Sequence, residues 1–247
     1  MTSNITGTDN VAVGSQSLTF ATYATSNTAV GFRSMRFTTT GGSNVAIGNL
    51  ALTTNTTGGS NVAIGSNALG ESITGTQNVV IGTSALQNNQ SATSTVAIGN
   101  GAGVGGANYT NQRGVYIGTS AGAGVLTGSD NNIFLGYQAG NGVTTGANNL
   151  IIGYDADSLN DTISNYMNIG NIIYGVGISG TGTTTAGFMG VGTTTPRYLL
   201  QLATTTAPQL VLSGGDTSNG WAFRNSGGMF YLATSSPTSF ATSTVSA

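Results

Sequence analysis

The stretch GGSNVAIGNLALTTNTTGGSNVAIGSNAL, residues 41–69, states one pattern twice, seventeen residues apart. The Gly that closes each copy can be followed through Gly14, Gly31, Gly48, Gly65, Gly82, Gly99, Gly118, Gly136, Gly153 and Gly170. Seven of the nine steps are 17 residues; the steps into Gly118 and Gly136 are 19 and 18. Self-similarity at a fixed period decides an architecture before any single residue is read.

Seven of the ten copies place Val or Ile three residues before the Gly, with Thr28, Leu150 and Met167 in the others, and all ten place a β-branched residue or Leu directly before it, as in Val45-Ala46-Ile47-Gly48. This is period two, so both large side chains share one side of a short strand. No copy can bury them alone, and the expectation is that stacking copies does. The residue between them is usually Ala, which suits a second, smaller packed face. Three residues after the Gly the column is small, Ser17, Ser34, Ala51, Ala68 and onward. The remainder is Thr, Asn, Ser and Gly, which is turn chemistry. Seventeen residues suit two strands of about five residues and two turns. Helical repeats are longer, and Gly, Thr, Asn and Val oppose helix. The prediction is an all-β parallel β-solenoid (β-roll) of ten coils, roughly 45–50 Å long at about 4.8 Å per coil. The column Asn10, Asn27, Asn44, Asn61 and Asn78 is expected to form a stacked amide ladder.

Composition narrows the function classes. Of 247 residues only 5% are charged, the net charge is −2, Lys is absent and the five Arg are scattered. Nucleic-acid binding and membrane-surface binding need basic patches, so neither is expected. With no His, Cys or Lys, the common general bases and nucleophiles are missing, and no enzyme and no cofactor are predicted. Without Cys there is no disulfide framework. No apolar run is long enough to span a membrane, so no membrane insertion by this chain is expected. The opening MTSNITGTDN has no secretory signal. The chain is therefore read as a whole protein delivered by another route, or as a fragment or processed form of a longer one.

The residues NVAIGNLAL and NVAIGSNAL resemble the head repeats of YadA-like trimeric autotransporter adhesins, over residues 10 to about 174. The resemblance implies a left-handed β-roll, three chains side by side, on a cell surface. Handedness rests on it alone, because parallel crossovers are ordinarily right-handed. The family's usual repeat is shorter, and no stalk coiled coil or anchor is recognisable. A second segment, FMGVGTTTPRYLLQLATTTAPQLVLSGG, residues 188–215, is similar to regions of phage tail fibres and related surface fibres that precede an intramolecular chaperone. A Ser/Lys self-cleavage dyad is excluded by the lack of Lys.

The columns stop near Tyr174. Domains are therefore expected as 1–174 (β-roll), 175–187 (a Gly/Thr-rich junction) and 188–247 (a small C-terminal β module). Strands are predicted at Tyr198–Ala203 and Gln209–Ser213. A hairpin is predicted from Gly220–Arg224 and Met229–Ala233, with Trp221 beside Phe223 and Phe230 beside Leu232.

Candidate sites are few. Asp155, Asp157 and Asp161 in YDADSLND are the one metal candidate, for calcium. The Gly and bidentate Glu of an EF-hand loop are absent, and a solvated turn is the competing expectation. The glycines of residues 99–106 lack the GKS/T ending of a phosphate loop. Tyr and Trp221 are read as packing groups rather than sugar platforms. The Thr39-Thr40 and Thr56-Thr57 pairs change to Ile73-Thr74 and Gln90-Ser91, too irregular for an ice-binding ladder. Asn-x-Ser/Thr triplets begin at Asn4, Asn55, Asn89, Asn108 and Asn160.

The sequence thus predicts a non-enzymatic fibrous homotrimer, extracellular, on a cell surface or virion. Its expected role is adhesion or receptor binding, with a cell-surface glycan or protein as receptor. The alternative is a structural subunit that polymerises end to end into an extracellular filament.

Overall fold

In a computed structural model the chain is described over residues 4–177, 187–203, 210–212, 220–226 and 229–235. The described residues contain β-strands and turns and no helix. Each repeat contributes one three-residue strand: β1 (Val11–Val13), β2 (Thr28–Val30), β3 (Val45–Ile47), β4 (Val62–Ile64), β5 (Val79–Ile81), β6 (Val96–Ile98), β7 (Val115–Ile117), β8 (Ile133–Leu135) and β9 (Leu150–Ile152). β10 (Tyr166–Ile169) has four. Every strand pairs with the next in parallel and in register, Val45 on Val62 and Ile47 on Ile64, for example. The result is a parallel β-solenoid of about nine turns.

Two features differ from the sequence reading. Each coil has one short strand instead of two of about five residues. The rest of the coil is a chain of corners, because three residues per coil take left-handed backbone angles: Ser43 (φ 58°), Leu50 (φ 55°) and Leu52 (φ 51°) in one coil. Such angles cost non-glycine residues on the order of 1 kcal/mol or more. The stack offsets that cost by engaging each corner N–H. Leu50 donates to the Phe32 carbonyl of the preceding coil (2.9 Å), and Leu52 to the Ala68 carbonyl of the following one (3.0 Å).

The second difference is which side faces in. The small central residue of each strand is buried (Ala46, Ala63, Val80, Ala97), while the flanking Val and Ile face outward, half-exposed. A 17-residue coil encloses too narrow a space for two Ile side chains beside a Leu. Its interior is filled instead by one small strand residue and one corner residue, Leu18, Met35, Leu52, Leu69 or Leu86, all fully buried.

Further along the stack the two positions trade volume. The strand centre becomes Tyr116 and then Phe134, and the corner becomes Gly103, Gly122 and Gly140. A Cβ on Gly122 would stand 2.7 Å from Tyr116 Cδ1 and 3.0 Å from Phe134 Cδ2, and one on Gly103 2.7 Å from Tyr116 Cδ2. The interior keeps its filling while the source of the atoms changes, as close packing requires.

After β10 the direction reverses. β11 (Ile173–Val176) pairs antiparallel with β10, β12 (Phe188–Val191) antiparallel with β11, and β13 (Leu200–Leu202) parallel with β12. All thirteen strands form one sheet. Thus Phe188–Val191 and Leu200–Leu202 continue the solenoid's sheet. A second sheet holds β14 (Leu210–Leu212), β15 (Gly220–Ser226) and β16 (Met229–Ser235), antiparallel throughout, with Trp221 opposite Thr234. The junction at 178–186, the side chains of Trp221, Phe230 and Leu232, and the tail 236–247 lie outside the described residues.

Candidate functional site

A long apolar feature offered to solvent is the outward ribbon. Its two columns run through Val45 and Ile47, Val62 and Ile64, Val79 and Ile81, with Ile47 39% and Ile81 37% exposed. Register carries it past the reversal, because paired residues share a side: Ile169 meets Ile173, Ile173 meets Val191, and Val191 meets Leu202. Thirteen strands at about 4.8 Å make the ribbon roughly 57 Å long and two side chains wide, except at β11, where Gly175 stands in the second column between Met167 and Met189. A contiguous apolar surface of this kind marks an interaction site.

Behind the strands stand the amides. Asn27 donates from both its backbone N and its Nδ2 to Asn10 Oδ1 (3.0 and 3.1 Å). Asn44 repeats this on Asn27, Asn61 on Asn44 and Asn78 on Asn61. Each Nδ2 also reaches across its own coil, as Asn44 does to the Gly58 carbonyl (2.9 Å). The run ends where Thr95 N donates to Asn78 Oδ1, and a second one joins Asn132, Asn149 and Tyr166. Between them the Asn column holds Gly114, and a Cβ there would stand 2.5 Å from the Tyr116 hydroxyl oxygen. That phenol fills the gap and accepts from Asn111 Nδ2 (2.9 Å). An exposed ladder absent from the sequence reading runs beside these: Arg113 Nε to Asn131 Oδ1, Asn131 Nδ2 to Asn148 Oδ1, Asn148 Nδ2 to Asn165 Oδ1. Its signal was the Asn at a fixed place in successive copies. All these amides are spent on neighbouring coils.

The repeat glycines are held by sterics. A Cβ on Gly65, at φ 136°, would lie 2.5 Å from the Gly82 carbonyl oxygen, and Gly14 through Gly136 meet their successors alike. Gly153 meets the backbone of Gly170 at 3.1 Å. Gly170 differs, with φ 59° and open space around it, because β11 turns back there.

Asp155, Asp157 and Asp161 do not make a cation cage. Among the described residues no group of three His, Cys, Asp or Glu is placed to hold a metal ion. Asp157 Oδ2 accepts from Gly142 N (3.0 Å) and Oδ1 from Ser158 N (2.8 Å), so both oxygens serve the fold. Partial burial, with the charges of Asp161 and Asp155 nearby, raises its carboxyl above the usual carboxylate range, against the pull of those two N–H donors.

Burial also raises the buried phenols of Tyr109 and Tyr116 well above the ordinary tyrosine value, and Tyr166 to about 12. The Thr column bonds along the stack, with Thr39 Oγ1 donating to the Thr56 carbonyl (3.0 Å) and Thr56 Oγ1 to that of Ile73 (3.1 Å). Asn55 and Asn89 are buried, so no glycan can be attached there.

The first coils carry a cluster that follows no column. Phe20 and Phe37 stack at 5.4 Å between ring centroids, and the Arg36 guanidinium lies 4.8 Å from the Phe37 centroid. Arg33 lies over Phe32, and Tyr23 is more than half exposed. From the next coil onward, Leu50, Thr53, Thr54, Asn67, Glu71 and Gln87 line a shallow groove of about 220 Å³. No described helix is long and apolar enough to cross a membrane. Comparison with protein-family models, with curated proteins and with solved structures finds no match to this chain.

Proposed function

We propose that this chain is a subunit of a non-enzymatic homotrimeric fibre, displayed on a cell surface or virion, whose solenoid holds a receptor-binding surface away from its base. The outward Val-Ile ribbon carries the reading. Burying an Ile is worth about 1.5–3 kcal/mol, and a side chain left about two-fifths exposed, as Ile47, Val79 and Ile81 are, keeps roughly 0.5–1 kcal/mol of that in reserve. About ten ribbon side chains exposed to that degree hold roughly 5–10 kcal/mol per chain, comparable to the association cost of about 4–15 kcal/mol. A ribbon only two side chains wide suits a threefold axis, where three such strips close a narrow prism. The resemblance of NVAIGNLAL and NVAIGSNAL to YadA-like head repeats points to the same number of chains and a left-handed coil.

The filament alternative has the open edge of β1 in its favour. Against it stands β11: the last parallel rung is covered by an antiparallel strand, so another solenoid cannot continue the parallel stack at that end. The test is mass in solution, with electron microscopy of the same sample. A trimer of 24.5 kDa chains gives about 73.5 kDa, three times the chain mass, and short rods of uniform length. A monomer or long filaments would end the proposal.

A further inference from the structure

A repeat protein contains its own control, because each column shows what the fold accepts at that place. At the column of Phe20 and Phe37 the next coils carry Thr54, Glu71 and Asn88. At that of Arg36 they carry Thr53, Gly70 and Gln87. At that of Tyr23 they carry Thr40, Thr57 and Thr74. The solenoid therefore does not need aromatic rings or guanidinium groups at these positions, and the first coils have both. Phe20, Phe32 and Phe37 stand about two-fifths exposed.

We propose that this strip is a binding site for a carboxylate-bearing glycan, such as one containing sialic or uronic acid; the inference deepens the receptor-binding reading by naming the receptor's chemistry. Three observations converge. Two of the five arginines of the chain, Arg33 and Arg36, lie in this one coil, which contains no carboxylate, in a protein of net charge −2. Arg36 is fixed against the rings, and its Nε is buried with no hydrogen-bond partner. A guanidinium held on aromatic rings is a preorganised receptor for a carboxylate, with the remaining donors in fork geometry.

The groove lined by Thr53, Thr54, Asn67, Glu71 and Gln87 continues the strip along the stack, beginning at Thr53 and Thr54 in the coil next to Arg36 and Phe37. It offers hydroxyl, amide and carboxylate groups in a row, the kind that hydrogen-bonds sugar hydroxyls. The strip also stays free in the proposed assembly. Phe37 lies seven residues after Val30 and eight before Val45, midway round the coil from the outward ribbon.

The probes are sialyllactose and tetragalacturonate, titrated calorimetrically into the assembled protein, with lactose and inorganic phosphate as controls. The variants are Arg36→Thr and Phe37→Thr, which install what the next coil already carries at Thr53 and Thr54. At least one acidic saccharide should bind, more tightly than lactose or phosphate and less tightly in high salt. Each variant should lose about tenfold or more in affinity with unchanged circular dichroism and mass. The proposal is overturned by wild-type protein that binds neither acidic saccharide, or by variants that bind as well as wild type. Phosphate matching the saccharides would reduce the strip to bare charge attraction, and variants of altered mass would make it a contact between chains. Wild-type mass is read separately, so a monomer that binds sugar refutes the assembly and leaves this site standing.

Discussion

Val80 and Ile81 are neighbours in β5, and their substitution by Asp should give opposite outcomes. Val80 is completely buried inside the coil, and Ile81 is 37% exposed on the ribbon. A carboxylate at position 80 would sit among Leu69, Leu86, Ala63 and Ala97 with no partner. An isolated buried charge costs several kcal/mol, a large share of the stability of a domain. Val80→Asp should therefore be recovered unfolded. At position 81 an isolated chain would hardly respond, since surface substitutions fall within about 0.5 kcal/mol. In a trimer, three carboxylates would face one another around a dry axis, at several kcal/mol each. Ile81→Asp should yield a folded, β-rich monomer. Sedimentation equilibrium and circular dichroism on the two variants and wild type decide the matter. An Ile81→Asp protein that remains trimeric would refute the ribbon as the contact between chains, and a folded Val80→Asp protein would refute the assignment of inside and outside.

Gly65→Ala should cost more than about 2 kcal/mol by denaturant unfolding, because the Cβ would meet the Gly82 carbonyl oxygen at 2.5 Å on a backbone at φ 136°. Tyr116→Ala should destabilise by about 3–5 kcal/mol through the cavity it leaves. Gly122→Leu should also destabilise, and the double variant should lose less than the two single losses added, as a double-mutant cycle will read. Alkali should unfold the chain. Tyr109, Tyr116 and Tyr166 hold their protons in the fold beyond the unfolded value of about 10. Their contribution is intact below pH 10 and falls above it by about 1.4 kcal/mol per pH unit for each phenol, so phenolate absorbance should rise together with loss of circular dichroism.

Much of this architecture could be read from the chain itself. The 17-residue step located the strands, because a large residue stands directly before the Gly in every copy and nearly always two residues earlier as well, and the spacing of Gly and Asn follows from what stacks upon what. Alternation divides side chains between two faces without saying which is interior, and the larger pair, Val45 and Ile47, was assigned inward by hydrophobicity. Coil size decides otherwise, and coil size depends on corners such as Leu52, whose φ of 51° no propensity assigns to leucine. The exchange between Leu86 and Gly103 was visible as a column change but has meaning only once Tyr116 is known to reach it. The aromatic strip was missed for another reason. A search for what repeats passes over Phe20, Phe37 and Arg36, which are informative because they depart from the pattern.

The reversal at β11 has a consequence for size. Each copy of the repeat adds one rung between β1 and β10, and the strand that closes the stack is part of the same polypeptide. Reach is thus counted out during translation, like graduations on a ruler. Duplicating or deleting a seventeen-residue unit in the gene would shift it by about 4.8 Å a time.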